Sequence, residues 1–245
     1  YVVQIEASSH DGLGFVKSAA VRVAYDLMGE KPEQEAILLG IIVNKLGDVD
    51  RKVASKSSHL LEQLLYKHPS MKPIVVREVS LFLHRPNLTA RSQYFALIFL
   101  SQLTLRQGTD AELATSMINI YFSLFQTHIA RQEGKGKGKG KPGKPGSKAA
   151  QQEHENVLDA RMLSVLLTGI NRAFPFATLD DDLFDKHVDT LFRISHTSTI
   201  NVAVQALTLV FQVMDRRDAV SSRFYRALYA LLLSPDLRRS SKHAV

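Results

Sequence analysis

The sequence contains no cysteine and no tryptophan. Without a thiol there is no disulfide framework, no cysteine-ligated zinc and no thiol catalysis, and a reducing compartment fits. There is no signal peptide, and no uninterrupted apolar stretch near the ~18 residues that a membrane span needs, so no membrane partner is expected. No hairpin dipeptide joins alternating strands anywhere. There is no nucleophile elbow, no dinucleotide fingerprint and no His-Glu-x-x-His pair; the nine histidines are scattered. Catalytic, metal and cofactor residues are therefore assigned to no position.

Two stretches come close to a chemical motif and fail. In "GKGKPGKP" Gly138 is followed by Gly143 and Lys144 at phosphate-loop spacing, but Pro145 stands where Ser or Thr must reach magnesium, and no strand precedes it. The acidic run Asp180, Asp181, Asp182 with Asp185, His187 and Asp189 lacks the defined spacing of an oxygen-ligand loop. Consecutive aspartates at a helix start stabilise the positive end of its dipole instead.

What is present is helical periodicity over nearly all of the 245 residues. The patterns predict helices at 13–29, 33–47, 50–67, 70–84, 88–107, 110–131, 156–174, 181–196, 200–215 and 219–233. Asp50 and Ser70 read as N-caps, and "KHP" (67–69) and "HRP" (84–86) as helix ends, a base followed by a proline. In the third helix Val53, Leu60, Leu61, Leu64 and Leu65 form an apolar stripe, opposite Lys52, Lys56, His59, Gln63 and Lys67. "YFALIFL" (94–100) and "VAVQALTLVFQVM" (202–214) lack a clean polar face, which predicts enclosure by neighbours. A helix–turn–helix shape recurs after about 40 residues, the range of HEAT and armadillo units. The expected fold is all-α, an α-solenoid of HEAT/armadillo-like helical hairpins. Residues 1–132 would be its first part, 133–150 a Lys/Gly-rich flexible insertion, and 151–245 the continuation of the same array.

The net charge is +7, and 134–148 alone hold Lys135, Lys137, Lys139, Lys141, Lys144 and Lys148 with no acid, so the rest of the chain carries +1. Alternating glycine and lysine cannot supply a core; the tract is either a solvated loop or a flexible binder of RNA phosphates. A second basic region, Arg216, Arg217, Arg223, Arg226, Arg238, Arg239 and Lys242, faces only Asp218 and Asp236. These two regions are the candidate contacts for RNA or an acidic partner. In "TGINRAFPFA" (168–177), Gly169 and Asn171 follow an apolar run and Pro175 cannot continue a helix comfortably. Phe174 and Phe176 would fold back as anchors, and Asn171 and Arg172 would bond the freed carbonyls, or Arg172 meet a phosphate. The stretch reads as a helix end rather than a reactive site.

Four ordered segments, "VNKLGDVDRKVASKSSHLLEQLLYKHPSMKPIVVREV", "RPNLTARSQYFALIFLSQL", "MLSVLLTGINRAFPFA" and "NVAVQALTLVFQVMD", resemble the CCAAT-binding-factor domain of the nucleolar-complex family. The resemblance runs from about residue 13 to the C-terminus. The Lys–Gly insertion departs from it, and both "SPDLRRSSKHAV" and the start at Tyr1 suggest a piece of a longer chain. The resemblance implies a nucleolar factor that assembles early precursors of the large ribosomal subunit (pre-60S particles). It would act beside a second protein of the family, other assembly factors and ribosomal proteins, in contact with precursor rRNA and without catalytic residues. The family's name records an alternative, regulation at CCAAT promoters; base readout needs an element placed in a groove, and nothing here spells one.

Overall fold

The computed structural model describes residues 1–30, 33–137, 147–178, 181–216 and 221–235. Among the described residues all regular structure is helical and there is no strand. The helices are α1 (Val2–Ser9), α2 (Gly14–Glu30), α3 (Glu35–Asn44), α4 (Arg51–Lys67), α5 (Lys72–Leu83), α6 (Ala90–Gln102), α7 (Ala111–Lys137), α8 (Ser147–Ala173), α9 (Asp181–Thr197), α10 (Ile200–Arg216) and α11 (Ser222–Leu232). Short 3-10 turns follow α3, α4 and α8 at Lys45–Gly47, Pro69–Met71 and Phe174–Phe176.

The chain divides into two compact units, Tyr1–Thr104 and Leu105–Val245. In the first, α2 packs on α1, α3 and α4, and α3 and α6 both pack on α5. In the second, α8 lies between α7 and α10, α9 packs on α10, and α11 covers part of both. The helices on either side of the Lys–Gly stretch thus belong to the same unit.

Local chemistry explains most of the boundaries. The Asp50 carboxylate accepts from the Lys52 amide at 2.9 Å and caps α4. Thr89 and Ser221 cap α6 and α11 in the same way. His84 ends α5 and its Nδ1–H donates to the Ser80 carbonyl at 2.8 Å, one of the carbonyls a helix end leaves unpaired. Ser70 is not a cap: it lies inside the Pro69–Met71 turn, and α5 starts at Lys72 without a side-chain cap. A cap needs extended backbone, which that turn does not provide.

The predicted stripe of α4 is buried throughout, from Val53 to Leu65. Against expectation, α10 is not enclosed on all sides: Thr208 is exposed and Phe211 is 45 % exposed. The aromatic ring of Phe211 instead meets Phe224 of α11, centroids 5.8 Å apart. α7 and α8 also reach into the stretch read as an insertion, so the backbones of Lys135, Lys137 and Lys148 are helical. A helix propagates by one hydrogen bond per residue and needs no favourable composition to run on for a turn.

In the first unit the segment Lys45–Asp50 ties four elements together. The ideal Cβ of Gly47 would lie 2.7 Å from Cζ of Phe82 in α5, so only glycine permits that approach. The Gly47 carbonyl accepts from Ser92 Oγ of α6 at 2.9 Å. The Asp48 carboxylate receives Lys17 Nζ of α2 at 3.1 Å, Lys45 Nζ at 3.7 Å and the Asp50 amide at 2.8 Å. Burial pushes the Lys45 ammonium below its ordinary pKa, and Asp48 only partly offsets this. Burial alone would raise the Asp48 pKa, but the Asp50 amide and both lysines outweigh it and hold the carboxyl below 3.8.

Replacing Asp48 by Asn leaves two ammonium groups facing each other in a nearly dry site, a change that costs about 3 kcal/mol. Asp48→Asn should therefore lower the urea midpoint, with the native helix content retained. Because the native pKa of Asp48 lies below the ordinary 3.8, the gap between wild type and variant should stay constant above that pH. It should close as the pH falls through the native value. An unchanged midpoint at neutral pH would refute the role given to this carboxylate.

Candidate functional site

The stretch that ends α8 shows how the candidate residues are placed. α8 turns three polar side chains, Ser164, Thr168 and Asn171, toward α10, at spacings of four and three that share one helix face. Gln205 of α10 answers all three. Its Oε1 accepts from Ser164 Oγ at 3.0 Å, its Nε2 donates to Thr168 Oγ1 at 2.9 Å, and its carbonyl accepts from Asn171 Nδ2 at 3.1 Å. Asn171 lies in the last turn of α8, near the helix end as expected, but its side chain bonds Gln205 of the neighbouring α10 rather than the carbonyls freed at the end of its own helix. Gly169, read as a stop signal, is a packing position: its ideal Cβ would stand 2.5 Å from Cζ of the fully buried Tyr121 in α7.

The helix does end at Ala173, and Phe174–Phe176 form the 3-10 turn that Pro175 permits. Phe174 is buried, whereas Phe176 is half-buried. Three residues per turn cannot point both rings the same way. The freed carbonyls are bonded by an arginine, but not by Arg172, which is exposed. Arg216, at the end of α10, donates Nη2 to the Phe174 carbonyl at 2.8 Å and Nη1 to the Ala177 carbonyl at 3.2 Å. Its guanidinium lies 4.2 Å from the centre of the Phe174 ring. A residue proposed to meet RNA is thus engaged with backbone from an earlier part of the chain. The sequence signal for this is weak, because an arginine at a helix C-terminus is equally suited to its own dipole.

Of the other candidate cations, Arg223 pairs with Asp189 of α9 and lies 4.4 Å from the centre of the Phe192 ring. Both partners are exposed, so the pair contributes little to stability. Arg226 is exposed on α11 with no ion pair among the described residues. Lys139, Lys141, Lys144, Arg217, Arg238, Arg239 and Lys242 lie outside the described residues. Elsewhere, a groove of about 490 Å³ between α2 and α4 is lined by Arg22, Asp26, His59, Glu62, Gln63 and Lys67 around Tyr25 and Tyr66. Its charges are matched within it, as Arg22 Nε bonds both Asp26 oxygens at 3.1 Å. Among the described residues no group of three His, Asp or Glu side chains is placed to hold a metal ion. No described helix is long and apolar enough to cross a membrane.

The sequence profile of the CBF/Mak21 family matches residues 203–245, the helices that carry Arg216, Arg223 and Arg226. The whole chain is 40 % identical to human CCAAT/enhancer-binding protein zeta, over 245 residues and 21 % of that protein's length. It is 39 % identical over 252 residues to Ribosome biogenesis protein NOC1 of Chaetomium thermophilum, covering 98 % of the chain and 24 % of the relative. Nucleolar complex protein 1 of Drosophila melanogaster is 34 % identical over 222 residues, 90 % of the chain and 17 % of the relative. The CBF/Mak21 match is thus confined to residues 203–245, whereas the similarity to these relatives runs along nearly the whole chain. The chain spans about a fifth of the length of these relatives. The printed name of the Drosophila relative points to the nucleolus.

The structural role of Arg216 is testable apart from any binding. Arg216→Ala should lower stability by about 1–2 kcal/mol in urea unfolding, because two charge-assisted bonds and a ring interaction disappear at a partly exposed site. Arg216→Lys should recover less than half, since one ammonium cannot span two carbonyls. Equal stability of all three proteins would refute the clamp.

Proposed function

We propose that this chain is part of a non-enzymatic nucleolar assembly factor for the large ribosomal subunit. It scaffolds early pre-60S particles by holding a protein partner, a second protein of the same broad family, together with precursor rRNA and neighbouring assembly factors and ribosomal proteins. The observation that carries this reading is the likeness along nearly the whole chain to relatives named for ribosome biogenesis and the nucleolar complex. Two further features support it. The helix–turn–helix shape recurs near the HEAT spacing of about 40 residues, which suits a solenoid with long surfaces. Several of the described cations and acids are used in pairing and capping, which suits a scaffold.

Affinity purification of the whole protein from growing cells should recover precursors of the large subunit. Recovery of none would reject the assembly role. The human relative's name, CCAAT/enhancer-binding protein zeta, favours a second reading as a promoter-binding regulator. That reading requires a footprint on a CCAAT duplex that survives moderate salt, because purely phosphate-driven binding fades as salt rises.

RNA contact is assigned to the Lys135–Lys148 tract and to the cations of 216–242 that are not engaged elsewhere. Changing the tract's six lysines to glutamine should weaken RNA binding and flatten its dependence on log salt, by roughly 0.7 for each single-strand phosphate that is no longer neutralised. An unchanged slope would remove the tract from the interface and leave it a solvated loop.

A further inference from the structure

We propose that the outward face of α11 is a docking surface for an amphipathic helix of a partner protein, one whose apolar stripe is flanked by carboxylates. The inference rests on the reading of the chain as a scaffold and names a place and a chemistry for one of its partners.

α11 seats itself on its own unit through Phe224 and Ala227. Its exposed side is not uniformly polar. Tyr225, Tyr229 and Leu232 follow at steps of four and three, one straight line on a helix, and are 47, 60 and 45 % exposed. Leu233 beside them is 73 % exposed. Single exposed apolar residues need no explanation, but a continuous stripe at helical spacing matches the geometry by which a second helix packs. The stripe extends over eight residues, about 10 Å of rise, two turns of a partner.

Charge narrows the occupant. α11 contains no Asp or Glu. Arg223 on one flank is answered by Asp189, whereas Arg226, about 100° around from Tyr225, has no ion pair among the described residues. A carboxylate at the edge of the incoming stripe completes that arginine and gives the docking its orientation. Tyrosine and arginine together are the side chains that dominate binding energy at protein interfaces. Unpaired RNA would find two rings for stacking, but Leu232 and Leu233 offer its bases and phosphates nothing.

The test uses the whole protein in growing cells, with the photoreactive benzoylphenylalanine in place of Tyr229. Illumination should attach that position to a segment of another protein whose sequence has apolar residues at helical spacing flanked by Asp or Glu. Attachment to RNA, attachment to a segment without that pattern, or no attachment would each overturn the proposal. The combined substitutions Tyr229→Ser and Leu232→Ser should lower recovery of the attached partner roughly tenfold or more, and Arg226→Glu should do the same. Both variants should keep the native helix content, and Arg226→Glu the urea midpoint as well, since Arg226 is exposed and Tyr229 and Leu232 are about half exposed; undiminished recovery would also overturn the proposal. Large-subunit precursors are measured in the same cells. Particles without the helix adduct reject the docking face alone, and the adduct without particles rejects the assembly role alone.

Discussion

Gly169 stands so close to the buried ring of Tyr121 that any side chain there would have its first carbon 2.5 Å from the ring. That approach brings α7 and α8 together and fixes the rotation of α8 about its own axis. Once Gly169 faces α7, the residues Ser164, Thr168 and Asn171 must look elsewhere, and they meet Gln205 of α10. α10 then ends where Arg216 can reach the carbonyls of the turn that closes α8. The first unit repeats the device: Gly47 lies against Phe82, and Lys45–Asp50 joins α2, α4, α5 and α6 around it. A helix cannot cover its own apolar stripe, so in each unit the cores are set by which neighbour comes close enough to cover it.

The polar groups of these seams explain why several cations are engaged within the fold. Each helix end leaves carbonyls unpaired, and in a fold without sheets or metal among its described residues, side chains must bond them. Arg216 bonds two and Lys72 reaches the Thr104 carbonyl, just beyond α6, at 2.8 Å; Lys56 bonds a carbonyl inside a helix, that of Ser18 in α2, at 3.0 Å. Lys17 and Lys45 are held by Asp48. Net charge is therefore a poor measure of binding capacity here: several basic residues complete the fold, and an arginine inside a basic run can be engaged by backbone.

Much of this is legible in the sequence because helices announce themselves by period and punctuation. Asp50 before α4, and the base–proline pairs that end α4 and α5, lie where local rules put them. α1 escapes such a reading, because eight residues with mixed polarity do not establish a period. Ser70 misleads because a serine before a helix pattern signals a cap only if the backbone is extended there. The stretch 168–177 is recognisable as a helix end, yet local rules assign its parts to the wrong bonds. Gly169 serves an approach to Tyr121 on another helix, and the arginine that bonds the carbonyls is Arg216 rather than Arg172. Such pairings depend on how helices face one another, which no local pattern encodes.

The same distinction separates the two faces of α11. Its buried side follows from composition, since Phe224 and Ala227 sit at the spacing a helix needs to dock on its own unit. Its exposed side follows the rule equally well, with nothing among the described residues of its unit to cover it. A surface helix that needed only solubility would carry charges at 225, 229 and 232, as α4 does at the exposed Arg51 and Lys52. In α11 those positions hold two tyrosines and a leucine, beside an arginine that has no ion pair among the described residues. Burying them gives up no ion pair of the described fold, so the gain in apolar area is set only against the costs common to any association: lost translational and rotational freedom, ordered side chains and the desolvation of two tyrosine hydroxyls.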